Sequence, residues 1–163
     1  MDSVWVCGVY QGLLKQLIHS YKFLHKRDAS KDLVRIMDAA LPAIHPDTIV
    51  VNVPTASSRV RERGFDHGAL LAKAFAYKRG LLYLPCLARS GQARQLGLSR
   101  VDRLQNINGL VHIKSGQRTK GANFVIIDDV VTTGASINEA AKILKRSGAV
   151  SVNAATIAQT IMQ

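Results

Sequence analysis

The chain has 163 residues, 47% apolar and 20% charged, which predicts one folded domain and argues against intrinsic disorder. Lysine and arginine number 22 against 11 acidic residues, and the formal net charge of +11 favours polyanionic partners. Two cysteines, Cys7 and Cys86, are too few for a disulfide framework or a zinc site, and no apolar run is long enough to cross a bilayer. We therefore expect a single cytoplasmic domain over residues 1–163, without membrane insertion.

Strands and helices alternate along the first half of the sequence. The apolar spacing predicts a strand over residues 4–10 and a helix over residues 11–26. Ser30 is placed to cap a second helix, which we expect to end at Leu41 before a proline. The continuous apolar run at residues 48–53 is typical of a strand that is buried on both faces in a parallel sheet.

The same alternation continues to the C-terminus. Asp66 can cap a helix that runs to about Lys78, and Ser99 has capping-box spacing with Asp102. The remaining predicted elements are strands at 81–84, 110–113, 123–127 and 150–157 and a helix at 137–146. This order predicts an α/β fold with a parallel central sheet flanked by helices, in which ligands bind beyond the carboxyl ends of the strands.

The most informative segment is VIIDDVVTTGAS at residues 125–136. Two adjacent carboxylates, Asp128 and Asp129, follow an apolar strand and can accept hydrogen bonds from ribose hydroxyls. The loop amides and the N-terminus of the next helix can bind a phosphate group. The candidate phosphate-binding residues are Thr132, Thr133, Gly134, Ala135 and Ser136. A Walker B strand is the alternative, but it requires a Gly-x-x-x-x-Gly-Lys-Ser/Thr loop, which this sequence lacks.

A second candidate segment follows the predicted strand at 48–53. Its hydroxyls, amides and arginines could bind a pyrophosphate, since arginine binds phosphate through two parallel hydrogen bonds. The candidate residues here are Thr55, Ala56, Ser57, Ser58 and Arg59. Taken alone, the segment also fits an ordinary basic loop. We expect Phe65 to pack in the core and His67 to lie in the first turn of a helix, with a catalytic role for His67 as the less favoured alternative.

Residues 125–136 resemble the phosphoribosyl pyrophosphate (PRPP) signature of type I phosphoribosyltransferases, with two acids, two apolar residues, two hydroxyl residues, Gly, any residue and a hydroxyl residue. Over nearly the whole chain the resemblance narrows to the ComF family, which is tied to DNA uptake in competent bacteria. The matching positions are Lys22-Phe23, Val53-Pro54, the basic stretch 59–63, Arg63-Gly64-Phe65, Gln95, Leu98-Ser99, Arg103 and Asn106. Asp66-His67 stands where the family has Asn-Gln, and the four-cysteine N-terminal zinc module of many relatives is missing.

The resemblance implies a type I phosphoribosyltransferase fold that binds PRPP with Mg²⁺. It implies that PRPP itself holds most of the Mg²⁺ coordination, together with Asp128 or Asp129. The implied reaction is displacement at the anomeric carbon of ribose with release of pyrophosphate, with Asp128, Asp129 and Arg59 as the catalytic residues. The residues expected to form a mobile lid are Gln95, Ser99, Arg103 and Asn106.

Two non-catalytic functions remain open at this point. One is an accessory protein that binds single-stranded DNA during uptake and docks on a helicase, and the other is a regulator that senses PRPP. Seven basic residues against the single acid Asp102 between Arg89 and Lys120 favour binding to a nucleic-acid backbone. The same stretch has no aromatic residue on which bases could stack. The sequence leaves the acceptor substrate and the oligomeric state undetermined.

Overall fold

The computed structural model describes residues 1–23, 28–89, 111–117 and 119–161. These residues form seven strands and five helices, numbered here in chain order. The strands are β1 (Val4–Val9), β2 (Thr48–Asn52), β3 (Leu82–Tyr83), β4 (Leu87–Arg89), β5 (Val111–Ile113), β6 (Asn123–Val131) and β7 (Ser151–Gln159). The helices are α1 (Gly12–Phe23), α2 (Ala29–Ala40), α3 (Ser57–Arg63), α4 (His67–Arg79) and α5 (Ala135–Arg146).

Five of the strands form one parallel sheet in the order β1-β7-β6-β2-β3, which confirms the predicted fold class. β6 and β7 are its longest strands and lie near its centre. The two short strands β4 and β5 pair antiparallel as a separate ribbon. Helices cover the central strands on both sides, because one apolar cluster joins the sheet to α1, α2 and α4 and a second joins it to α5.

Alternation along β6 supplies both of these clusters. Val125 and Ile127 are fully buried in the cluster with α1, α2 and α4, whereas Phe124 and Ile126 are fully buried in the cluster with α5. Successive side chains of a strand point to opposite faces, so a strand covered on both sides is apolar at every position. This is the physical reason why the continuous apolar runs predicted central parallel strands.

Helix boundaries test the capping predictions. Asp66 caps α4 as predicted, since its Oδ1 accepts a hydrogen bond of 3.1 Å from the Ala69 amide. The prediction for Ser30 is wrong, because α2 begins at Ala29 and Ser30 is buried within its first turn. α2 ends at Ala40, and the following Leu41 is extended, as expected for a residue that precedes proline.

The predicted end of β6 needs correction. The sequence predicts that the strand stops at Ile127, but it continues to Val131 because β7 pairs with it as far as Gln159. The two carboxylates Asp128 and Asp129 therefore lie inside the strand and not in the loop that follows it. The helix predicted after Ser99 lies outside the described residues, as do the four predicted lid residues. No helix in the part of the chain that the structure describes is both long and apolar enough to cross a membrane.

Candidate functional site

The two candidate segments meet at the carboxyl edge of the sheet. β2 and β6 are adjacent, Asn52 is in register with Ile127, and the Val53 amide donates a hydrogen bond to the Ile127 carbonyl. The segments that leave these strands face a cleft of about 420 Å³, within the usual size range of small-molecule sites. Its polar lining comprises Tyr10, Lys22, Thr55, Arg59, Arg63, His67, Arg89, Asp128, Asp129, Thr132, Ser136 and Thr160. The ends of β2 and β6 thus lie side by side, with both candidate segments on one cleft.

The segment after β6 forms the turn into α5. Gly134 has a φ of 73°, the left-handed conformation that favours glycine, and it stands at the N-cap position of the helix. The side chains of Thr132, Thr133 and Ser136 are exposed, and α5 has no acidic residue in its first turn. The positive end of the helix dipole is therefore open to an anion, and the Ala135 amide makes only a long hydrogen bond of 3.4 Å to Thr133 Oγ1.

The segment after β2 differs from the predicted loop. Ser57, Ser58 and Arg59 form the first turn of the short helix α3, and all three are exposed. Thr55 precedes the helix and donates a 2.8 Å hydrogen bond to Asp66 Oδ1, which anchors the segment to the start of α4. Thr55, Ala56 and Arg59 line the cleft, but Ser57 and Ser58 do not.

The two adjacent carboxylates have different surroundings. Asp129 is only 3% exposed, with Oδ1 lying 2.8 Å from Lys22 Nζ and Oδ2 lying 3.2 Å from His67 Nε2. Asp128 is partly exposed and lines both the main cleft and a small recess formed by the turn at 131–137. Its Oδ1 accepts a 2.9 Å hydrogen bond from the Asp129 amide.

These surroundings shift the two pKa values in opposite directions. Burial and the neighbouring charge of Asp129 raise the pKa of Asp128 to about 7. Burial also opposes ionisation of Asp129, but the hydrogen bond from His67 and the charge of Lys22 outweigh it, so the pKa of Asp129 is lowered. Near neutral pH, Asp129 is therefore the permanent anion of the pair, and Asp128 is the carboxylate whose charge responds to its surroundings.

The sequence-based site did not include Lys22 or Arg63, and it treated His67 mainly as a helix residue. The structure brings all three to the back of the cleft, from the end of α1, the end of α3 and the start of α4. Arg63 NH1 lies 2.9 Å from His67 Nδ1 and 3.2 Å from His67 Nε2, so Arg63, His67 and Asp129 form a continuous chain of contacts. Two features of the sequence, both within the family motifs, could have indicated these residues. They are the Lys22-Phe23 pair and Asp66-His67, which stands where the family has Asn-Gln.

Known proteins match this chain in sequence. Residues 92–161 match the phosphoribosyl transferase domain family. The chain is 31% identical over 163 residues to the DNA utilization protein YhgH of Salmonella typhi, covering 93% of this chain and 70% of that protein. It is 26% identical over 151 residues to the competence protein ComFC of Bacillus subtilis (strain 168), covering 91% of this chain and 60% of that protein.

Solved structures share the fold. Glutamine PRPP amidotransferase from B. subtilis aligns with a TM-score of 0.60 at 20% identity, over 86% of this chain and 30% of that chain. Adenine phosphoribosyltransferase from Thermoanaerobacter pseudethanolicus aligns with a TM-score of 0.53 at 17% identity, over 83% of each chain. At these identities the likeness establishes the type I phosphoribosyltransferase fold, as predicted.

Proposed function

Because this chain belongs to the ComF family and carries a phosphoribosyltransferase-like domain, we propose that it binds PRPP together with Mg²⁺ in the cleft between β2 and β6. The observation that carries the proposal is the convergence of two anion-binding segments of different chemistry on one cleft. One segment offers helix-terminal amides and hydroxyls, and the other offers a threonine, backbone amides and Arg59. A ligand with two separate phosphate groups fits that arrangement.

PRPP is placed by the chemistry of each segment. We place the 5′-phosphate on the turn at 132–136, where backbone amides, exposed hydroxyls and the dipole of α5 favour a dianion. The pyrophosphate lies against Thr55, Ala56 and Arg59, because arginine can bind it through two hydrogen bonds. The ribose hydroxyls then face the carboxylates at the end of β6.

The donor set fits a Mg²⁺ ion that belongs mainly to the ligand. Among the described residues no group of three or more His, Cys, Asp or Glu side chains could hold a metal by itself. Asp128 is the carboxylate exposed to the cleft, and it would complete a coordination shell made largely of PRPP oxygens and water. The ion would neutralise part of the pyrophosphate charge.

The proposed reaction is displacement at the anomeric carbon of the ribose. The bond to pyrophosphate breaks, the bond to an acceptor forms, and the pyrophosphate leaves with the bonding electron pair. Arg59 stabilises the charge that develops on the leaving group. The segment with Gln95, Ser99, Arg103 and Asn106 remains the proposed lid, and we place the activity in the cytoplasm.

Phosphorus NMR tests this function. Titration calorimetry should first show binding of PRPP that requires Mg²⁺, and the spectra then report whether pyrophosphate appears with and without candidate acceptors. Release that depends on an acceptor would establish a transferase. Binding without release would favour a PRPP sensor, and absence of binding would contradict the proposal.

A second candidate function is binding of single-stranded DNA, which would include docking on a helicase during uptake. The net charge of +11 and the names of the relatives, DNA utilization protein and competence protein, favour it. If basic side chains contact phosphates, affinity for an oligonucleotide falls linearly with salt on a double-logarithmic plot. Replacing Arg100 and Arg103 with alanine should then reduce that slope, and an absence of binding at low salt would leave PRPP as the ligand.

A further inference from the structure

We propose that the outer face of α5, which carries Lys142 and Arg146, binds the phosphate backbone of a nucleic-acid strand. The inference rests on the second candidate function, binding of single-stranded DNA, and assigns that function to a surface outside the PRPP cleft. It is carried by a groove along the helix, by two cations without acidic partners and by the absence of exposed large apolar side chains on α5.

A groove of about 300 Å³ follows the outer face of α5. Its lining residues are Ala135, Asn138, Glu139, Lys142, Ile143 and Arg146. They recur at intervals of three or four residues, so they share one face of the helix over its whole length. Lys142 and Arg146 are both exposed and lie four residues apart on that face, where like charges repel each other. An anion bound between them would relieve this repulsion.

Helix α2, which packs on the other face of the sheet, carries a similar pair of cations that the protein itself neutralises. Lys31 and Arg35 are also a lysine and an arginine four residues apart, and both are exposed. Lys31 Nζ lies 3.0 Å from Asp28 Oδ1. Arg35 NH1 lies 3.2 Å from Asp32 Oδ1. Each cation of α2 thus has an acidic partner one turn away on the chain.

The two cations of α5 have no such partner. Neither Lys142 nor Arg146 forms an ion pair within the described part of the chain. The carboxylate in the groove is that of Glu139, and its Oε1 accepts a 3.2 Å hydrogen bond from the Val111 amide. The helix dipole favours cations in the last turn, which accounts for Arg146 but not for Lys142. This face therefore presents positive charge that attracts a polyanion.

A third cation lies at the same end of α5. The Gly121 amide donates a 2.9 Å hydrogen bond to the Gly148 carbonyl, which places the exposed Lys120 beside the turn that follows the helix. α5 rises by about 1.5 Å per residue, so Arg146 lies about 16 Å along the helix axis from Ala135 at the PRPP cleft. A strand bound to these cations would leave the cleft accessible to PRPP.

The chemistry of this face favours nucleic acid over a membrane surface. α5 exposes no large apolar side chain, whereas a helix that lies in a membrane interface inserts an apolar face. Between Val111 and Val150 the sequence has one Phe, Tyr or Trp residue, Phe124, which is fully buried. This part of the chain therefore offers bases no aromatic side chain on which to stack. Contacts to the phosphate backbone without readout of the bases fit both observations.

The experiment measures binding of a fluorescently labelled oligothymidine to the full chain by anisotropy over a range of salt concentrations. The double variant Lys142→Gln with Arg146→Gln should bind about tenfold more weakly at low salt. Its slope on a double-logarithmic plot should fall by about 1.4, since each phosphate contact to a single strand contributes about 0.7. The matched control is Lys31→Gln with Arg35→Gln, which removes the same charges at the same spacing and should leave affinity and slope close to those of the parent.

Equal weakening by the two double variants would show that binding follows net charge alone, and it would overturn the assignment to α5. Absence of oligonucleotide binding by the parent at low salt would also overturn it, as would binding to vesicles of anionic lipid in place of the oligonucleotide. Lys120→Gln provides an independent test if the α5 variant does not fold, and it should lower the slope by about 0.7. An unchanged slope in Lys120→Gln would count against the surface.

Calorimetric titration with PRPP and Mg²⁺ separates this inference from the proposed PRPP function. The α5 double variant should bind PRPP as the parent does, because neither substituted side chain lines the cleft. Loss of PRPP binding in that variant, with its Tm unchanged, would show that the two surfaces are not separate and would overturn the proposal. A parent that binds the oligonucleotide through α5 but binds no PRPP would contradict the PRPP function alone.

Discussion

The ends of β2 and β6 occupy equivalent places at the carboxyl edge of one sheet, yet their chemistry is opposite. β6 ends in two carboxylates and a glycine turn that opens the N-terminus of the 12-residue helix α5. β2 is followed by a threonine and by the 7-residue basic helix α3. Under the proposed function, the comparison teaches that two equivalent positions of a fold can bind different parts of one ligand, with hydroxyls and one phosphate at β6 and a second anionic group at β2.

The two strand ends also differ in how firmly they are held. β6 pairs with β2 on one side and β7 on the other, and Asp129 is held between side chains from α1 and α4. α3 carries its first turn on the surface, where Ser57, Ser58 and Arg59 are exposed. Substitutions at Asp129 should therefore affect folding, whereas those in the exposed first turn of α3 should affect binding alone.

The largest effect is expected at the buried ion pair. Lys22→Met leaves Asp129 without its cation and should lower the free energy of unfolding by about 3–5 kcal/mol, measured by urea denaturation. Lys15→Met, an exposed position on the same helix, serves as the matched control and should change it by less than about 1 kcal/mol. Similar effects of the two variants would show that the β6 end is not held by this pair.

The next effect concerns Arg59, which distinguishes the β2 end from the β6 end. Arg59→Ala should weaken pyrophosphate and PRPP by about 1.5–3 kcal/mol, since it removes hydrogen bonds to a charged group, and should leave ribose 5-phosphate unchanged. Arg61→Ala is the control, because Arg61 is exposed on the same helix but does not line the cleft. If Arg59→Ala weakened ribose 5-phosphate as much as PRPP, the division of labour between the segments would be wrong.

A smaller effect is expected at Ser136, on the phosphate-binding turn. Ser136→Ala removes one hydroxyl and should weaken every ligand that carries the 5′-phosphate by about 0.5–1.5 kcal/mol. Pyrophosphate affinity is the internal control and should not change. A selective loss of pyrophosphate binding in this variant would reverse the placement of the two phosphate groups.

The smallest effect is expected in the dependence of stability on pH. The pKa of Asp128 is raised to about 7 in the folded chain, so ionising this carboxyl has a free-energy cost in the folded state. The contribution of Asp128 to stability is therefore full below about pH 4 and is lost as the pH rises to about 7. Partial exposure of this carboxylate screens the cost. Urea denaturation over this range should show a flatter profile for Asp128→Asn than for the parent, and an identical profile would contradict the raised pKa.

Much of the architecture could be predicted from the sequence because the buried strands are long and continuously apolar. The end of β6 could not be predicted in this way, because the acidic residues Asp128 and Asp129 interrupt the apolar run after Ile127. Hydrogen bonding to β7 nevertheless extends β6 to Val131. Helix α3 was missed because its sequence, SSRVRER, has only one apolar residue and therefore no apolar periodicity. Ser30 failed as a cap because tertiary packing buries it inside α2.

The candidate site was predictable only where it is local in sequence. Both candidate segments are contiguous motifs, and they meet because the parallel strands β2 and β6 pair. Lys22, Arg63 and His67 reach the back of the cleft from three separate helices, and a contact of this kind depends on the packing of the whole domain. No spacing rule within the sequence indicates that Lys22 would contact Asp129, 107 positions later in the chain.

Thermal unfolding with PRPP and Mg²⁺ tests the central claim most directly. A ligand that binds only the folded chain should stabilise it by about 2.7 kcal/mol at a concentration of 100 times its Kd. We predict a clear rise in Tm for the parent and a smaller rise for Asp128→Asn, each measured against the same protein without ligand. An equal rise in both proteins would contradict the assignment of the ribose to the end of β6.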